Sequence, residues 1–322
     1  RRKEMAENVR ITNERNLPYA LVKAVENDSY SKGRADRRVT GLLAPPRQAA
    51  LKDIHEDVLT EDVSERTYAL YGQLIHLLLE RAGEQDRNAL TEERLFTEVG
   101  GWTISGQTDT ITLTEEEGWV VSDYKFVTAY KFKRDKFDPD KLVVPEEYEQ
   151  QLNMYAHLLR ENGFRVDELK IVAIYRDWSK LEAKRDGNYP QLGAETHDVK
   201  LWPADEAKAF MEERVRLHQY AMAGNMHGSI TEEDLPECTD EERWAKKDSW
   251  ALKPTRDSKR ARKVFYGSHA QAIAWGLDPD NKVKRGFVVE HRPGANVRCE
   301  NYCIVSEYCE QFQGLGEEIH AR

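Results

Sequence analysis

Long apolar runs are missing from this 322-residue chain. No stretch approaches the roughly 20 residues that a membrane-spanning helix requires, which argues against such a span. Cysteine is scarce, at four residues. The N-terminal "RRKEMAENVR" carries positive charge with no apolar stretch behind it, so it does not read as a secretory signal. Without one, a disulfide framework is not expected in a chain of this size. No G-x-x-x-x-G-K-[ST] loop occurs, which argues against a helicase. Positive charge is in deficit: 48 Lys and Arg stand against 58 Asp and Glu, for a net charge of -10. That balance argues against a protein that coats nucleic acid non-specifically. Repeats and low-complexity segments are absent too. The composition, 33% charged and 39% hydrophobic, is that of a soluble globular chain with a sizeable core.

The charge is unevenly spread. "KFVTAYKFKRDKFDPDK" (125–141) and "KKDSWALKPTRDSKRARK" (246–263) are basic runs in an acidic protein. Each alone reads as a solvated face. Together, one of them starting at Lys125, they are compatible with a phosphate-facing groove.

Residues 1 to about 90 read as mostly helical, with a break at Pro45-Pro46. "RTYALYGQLIHLLLERAG" is apolar nearly all round, so the pattern predicts a buried helix ending at Gly83. "RLFTEVGGWTISGQTDTITLT" predicts two strands joined at Gly100-Gly101. "EEEG" (115–118) is a turn signal, and "WVVSDYKFV" a third strand. "PEEYEQQLNMYAHLLRENG" (145–163) predicts a helix, "ELKIVAIYRDW" a buried strand, "HDVKLW" another strand and "PADEAKAFMEERVRLHQYAMAG" a long helix. The order strand-strand-strand-helix-strand describes an α/β core around a mixed sheet. From about residue 226 the composition turns polar and irregular. The expected division is therefore a core at 1–225 and a basic, cysteine-bearing module at 226–322.

Three charged residues sit in strand-like surroundings: Asp109, Asp123 and Lys125. Side chains alternate across a strand, so Asp123 and Lys125 share a face and Tyr124 points the other way. A tight hairpin at "EEEG" brings Asp109 within a residue of Asp123. Two neighbouring carboxylates repel unless a cation lies between them. Oxygen ligands suit Mg²⁺ or Mn²⁺, and a lysine beside such an ion can orient a water and stabilise negative charge. The same pattern also fits a surface ion-pair ladder. "QLNMY" places Gln151 and Tyr155 one helical turn apart on one face. His76, inside the apolar helix, is either a satisfied core histidine or a partner of the two aspartates.

Taken in order, G-x-x-D (Gly106 to Asp109), D-x-K (Asp123 to Lys125) and Q-x-x-x-Y (Gln151 to Tyr155), preceded by a helix with a histidine, resemble the RecB-type branch of the PD-(D/E)XK nuclease superfamily. The resemblance covers roughly residues 38 to 180. It implies a restriction-endonuclease-like core with a mixed central sheet flanked by helices. It also implies that Asp109, Asp123, the backbone carbonyl of Tyr124 and His76 bind a divalent metal. Lys125 is then catalytic, and Gln151 and Tyr155 line the DNA path. Glu98, on the preceding strand, is a further candidate for positioning water or a second metal. The implied activity is Mg²⁺- or Mn²⁺-dependent cleavage of DNA, at single strands or duplex ends, in phage or bacterial recombination. The implied location is the cytoplasm of a bacterial or phage-infected cell. The alternative is a non-catalytic nucleic-acid-binding or assembly module that keeps the fold.

Cys238, Cys299, Cys303 and Cys309 extend the resemblance. Nucleases of the AddB type and of CRISPR adaptation hold a [4Fe-4S] cluster through one distant cysteine and three near the C-terminus. Here the spacing is C-x3-C-x5-C rather than C-x2-C-x5-C, and the distant cysteine follows the core instead of preceding it. A cluster, a tetrahedral zinc and four unligated thiols are the three readings.

Overall fold

The computed structural model of the chain describes residues 9–26, 34–134, 142–227, 232–283 and 286–320. They form two compact units, residues 1–231 and 232–322, so the boundary falls a few residues after the expected one.

The first unit is a mixed α/β structure. Its sheet holds β1 (Arg37–Arg38), β2 (Ala89–Val99), β3 (Trp102–Leu113), β4 (Trp119–Val127), β5 (Val166–Tyr175) and β6 (Ala194–Val199). The Gly100-Gly101 turn joining β2 to β3 has positive φ at both residues (57° and 80°), which glycine adopts without steric cost and which suits strand twist. β3 pairs antiparallel with β2 along one edge. Its other edge is shared. Ile104 and Ser105 pair parallel with β1, while Thr110–Leu113 pair antiparallel with β4. β4 continues parallel to β5, which pairs antiparallel with β6. Among the described residues, no strand pairs with positions 106–109 on that shared edge. This gap is what positions the site.

Five helices matter here: α1 (Val39–Leu43), α2 (Pro46–Ile54), α3 (Val63–Gly83), α4 (Glu146–Glu161) and α5 (Ala204–His227). Pro45 and Pro46 separate α1 from α2, because proline brings no N–H to continue the ladder. α4 lies on the β4 face that carries Asp123 and Lys125. Its Leu152, Leu158 and Leu159 join Ile104, Val121 and Ile171 in the core. α3 lies on the opposite face, where Tyr71 meets Phe126 and His76 meets Tyr124.

Two expectations need correction. α3 is not buried: Tyr68, Tyr71, Leu74, Leu77 and Leu78 are exposed, and Val63 alone is fully buried. A helix lying on one face of a sheet covers only the side it turns inward, so an all-round apolar pattern leaves the rest in solvent. The chain beyond residue 226 is not irregular either. β7 (Ser249–Lys253) pairs antiparallel with both β8 (Lys263–Phe265) and β9 (Val288–Arg292), and α6 (His269–Leu277) packs on them. These strands are too short and polar to show a period in the sequence. The basic run at 246–263 is partly engaged in this unit. Lys253 pairs with Glu290 at 2.8 Å, Arg262 donates to the carbonyls of Asn281 and Lys282, and Lys263 lies 4.6 Å from the Trp275 ring centroid. In the other basic run, 135–141 lie outside the described residues.

Candidate metal centre

Asp109 ends the unpaired stretch of β3, facing the gap. Thr110 pairs with Ser122, so continuing the register sets Asp109 against Asp123. Beyond Ser122 the strands part, and Asp109 Oδ2 accepts the Tyr124 N–H at 2.6 Å in place of a ladder bond. The N–H and C=O of one residue in an extended strand point to the same side, so the Tyr124 carbonyl faces the gap as well. Gly106 opens the motif for a packing reason. A Cβ there would lie 2.9 Å from both the Tyr155 ring and Leu158, so only glycine lets α4 approach β3 this closely.

Asp123 and Lys125 stand together, with Nζ 2.6 Å from Oδ2. Gln151 ties them to α4. Its Oε1 accepts from Lys125 Nζ at 3.0 Å, and its Nε2 donates to Asp123 Oδ1 and the Tyr155 hydroxyl, each at 3.1 Å. Lys125 Nζ also lies 5.1 Å from the Tyr148 ring centroid. Burial and the nearby acids Glu147 and Asp123 push the Tyr148 phenol above its ordinary range, so it stays protonated.

From α3, His76 Nδ1 comes within 3.4 Å of Asp109 Oδ1 and 4.0 Å of Glu92 Oε1. The hydrogen bond to Asp109 raises the imidazole's pKa against its burial. Glu92 is a residue the sequence reading missed. Thr91 pairs with Thr110 and Glu93 with Thr108, so Glu92 lies across from Asp109. The two-glycine turn fixes that register and was the available signal. Glu92 has φ of 52°, an uncommon backbone state for a residue with a side chain, and Gln107 Nε2 holds its carboxylate at 2.7 Å. Glu98 stands elsewhere. It faces Thr103, whose hydroxyl it accepts at 2.6 Å. Asp109 lies six residue steps along the strand from Thr103, about 20 Å.

Glu92, Asp109 and Asp123 thus line up across three adjacent strands. Burial, reinforced by Asp109, pushes Asp123 up to about 6 although Lys125 opposes the shift. Burial and Asp109 raise Glu92 likewise. The cluster is short of positive charge. Asp123 Oδ2 is buried, and Lys125 Nζ at 2.6 Å is its partner among the described residues. Ligand atoms of His76, Glu92 and Asp109 lie within 4.8 Å of one another, so the group could hold a metal ion.

In the second unit the four thiols are unbridged. Burial, Glu242 and the other three cysteines push Cys238 up to about 12. Burial with Cys303 and Cys309 raises Cys299 to about 11, against Arg243 and Arg298. The thiols are therefore electrostatic neighbours. Among the described residues no three of them come within 4.8 Å. A tetrahedral zinc with Zn–S bonds of about 2.3 Å needs sulfurs closer, at about 3.8 Å.

No family model and no curated protein matches this sequence. A solved structure titled "Crystal structure of SSO0001" aligns at 20% identity over 61% of this chain and 82% of that chain, with a TM-score of 0.41.

Proposed function

We propose that this chain is a metal-dependent deoxyribonuclease with a RecB-type PD-(D/E)XK core, cutting phosphodiester bonds at strand ends. What carries the proposal is one arrangement: Asp109, Asp123 and Lys125 meet where β3 and β4 part, and Gln151 bridges the lysine and the aspartate. An isolated surface ion pair would need no buried glutamine on both its members.

Asp109, Asp123, Glu92, His76 and the Tyr124 carbonyl would hold the ion. When bound, such an ion lowers the pKa of its water and screens phosphate charge. Lys125 holds a water against the phosphorus and stabilises the charge that builds on the phosphoryl oxygens. Gln151 keeps Lys125 aimed, and Tyr155 anchors Gln151. Water attacks phosphorus and gives up a proton to solvent, the P–O bond to the leaving sugar breaks, and that oxygen takes up a proton from solvent, so the charge balances. The products are a phosphomonoester and an alcohol. Cys238, Cys299, Cys303 and Cys309 would hold a [4Fe-4S] cluster in a structural role; zinc, the alternative, would require the sulfurs to draw closer than they stand here.

The test uses end-labelled single- and double-stranded DNA with Mg²⁺, Mn²⁺ or chelator. Wild-type protein should cut only with metal. Lys125→Ala and Asp123→Ala should stay folded and lose about 100-fold or more in rate. Wild-type-like cleavage by either variant, or cleavage in chelator, overturns the assignment. DNA binding without cleavage by wild type selects the non-catalytic module instead.

A further inference from the structure

An aromatic row leaves the acidic cluster along α3. His76, beside Asp109, meets Tyr124 edge-on with ring centroids 6.5 Å apart. Two residues further along β4, Phe126 lies 6.4 Å from Tyr71, and Tyr71 lies 6.2 Å from Tyr68. The Arg176 guanidinium sits over the Tyr68 ring at 5.2 Å. Tyr68 is 67% exposed and Tyr71 54%. Single exposed rings are ordinary, but adjacent ones beside exposed Leu74 and Leu78 form a patch that marks a binding surface.

The row's position decides its occupant. It begins at the group that would cleave a phosphodiester and ends at a cation, so a nucleic acid strand running along it meets positive charge and rings in turn. Bases in a duplex keep their faces stacked on one another, and only unpaired bases can lie on a tyrosine. We propose that Tyr68 and Tyr71, with Arg176, are a nucleobase-stacking platform that delivers an unpaired DNA strand to the site, an inference that rests on the nuclease reading.

Binding is measured by fluorescence anisotropy in chelator, which separates it from cleavage. The probes are a labelled oligo-dT, an abasic strand of equal length and a blunt duplex. Wild type should bind oligo-dT more tightly than either other probe. Tyr68→Ala with Tyr71→Ala should weaken oligo-dT about ten-fold or more and leave the abasic strand unchanged. Tyr68→Trp with Tyr71→Trp should restore binding, which excludes a folding defect. Four results overturn the platform: no oligo-dT binding by wild type, no loss in the alanine variant, equal loss on the abasic strand, or a shift of the alanine variant from oligomer to monomer in light scattering. The last makes the face a contact between copies of this chain. Wild type that binds as expected yet never cuts with Mn²⁺ sinks the nuclease reading and leaves the platform standing. Metal-dependent cutting with an indifferent alanine variant sinks the platform alone.

Discussion

His218 shows how one side chain couples fold to pH. Pro45 and Pro46 leave the last α1 carbonyls without ladder partners, and α5 supplies the donors. Arg214 donates to Leu42 O and Ala44 O at 2.8 Å each, and His218 Nε2 reaches the same two carbonyls at 3.1 and 3.2 Å. The ring is fully buried, and its Nδ1 has no hydrogen-bond partner among the described residues. Adding a proton there would create a buried, unpaired N–H beside Arg214. Burial first, then Arg214, push its pKa down to about 4 from the ordinary 6.5. The fold therefore holds the neutral ring. Its contribution is present in full above about pH 6.5 and is lost as pH falls toward 4, by about 3 kcal/mol over that span. Neutral glutamine can still donate to a carbonyl. In urea unfolding at pH 7 and pH 4.5, His218→Gln should thus lose less stability on acidification than wild type. Parallel losses in the two proteins would show that His218 does not carry the effect. This clasp was not legible in the sequence, because His218 and Leu42 meet only in the tertiary fold. Asp109, Asp123 and Lys125 were visible because strand alternation and one turn place them. Glu92 was equally available from the Gly100-Gly101 turn, whereas Glu98, chosen for its strand alone, faces Thr103 at the wrong end.

Between elements, the close approach of α4 to β3 is what assembles the site. Gly106 permits it, and Gln151 and Tyr155 use it to reach Asp123 and Lys125 from the other side of the gap. A methyl group at 106 must displace Tyr155 and Leu158 together, since both lie at 2.9 Å from where it would stand. Gly106→Ala should therefore cost about 1–3 kcal/mol in urea unfolding, as overpacking of a core does. It should also slow metal-dependent cleavage in protein that remains folded, because Tyr155 anchors Gln151. Unchanged stability and rate would mean that α4 moves away at no cost. The bounds of β2, β3 and β4 could be read from turn residues and alternation. The split of one β3 edge between β1 and β4 could not, because it depends on two residues, Arg37 and Arg38, arriving from outside any periodic pattern. Nor could the exposure of α3, since apolar periodicity reports which residues favour burial and not whether a neighbour covers them.

At the scale of the whole chain, two units carry two separate concentrations of ligand-type side chains, and their dependence on metal should separate. The acidic cluster lies on the sheet of residues 1–231, held by backbone ladders and a continuous core. In residues 232–322 the described elements are shorter, and long-range bonds tie the chain around the cysteines. Gln311 exchanges hydrogen bonds with the Cys238 backbone at 2.9 and 3.0 Å, and Glu232 accepts the Glu310 N–H. Cys238 thus already sits beside the segment that follows Cys309. Thiols crowded enough to raise one another's pKa are held apart by charge once ionised, and a bound metal turns that repulsion into folding free energy. Cys303→Ser should accordingly lower the melting temperature of the second unit. In hydrogen exchange it should speed exchange across 232–320 while leaving 89–127 protected. Anaerobically purified wild type should contain stoichiometric iron and absorb near roughly 400 nm through sulfur-to-iron charge transfer, or be colourless with zinc. Mn²⁺ binding at the acidic cluster should survive the substitution, because none of its ligands belongs to the second unit. Protein with neither iron nor zinc, and four thiols freely titratable in the native state, would exclude a metal there. The raised thiol pKa values would then reflect burial and crowding alone.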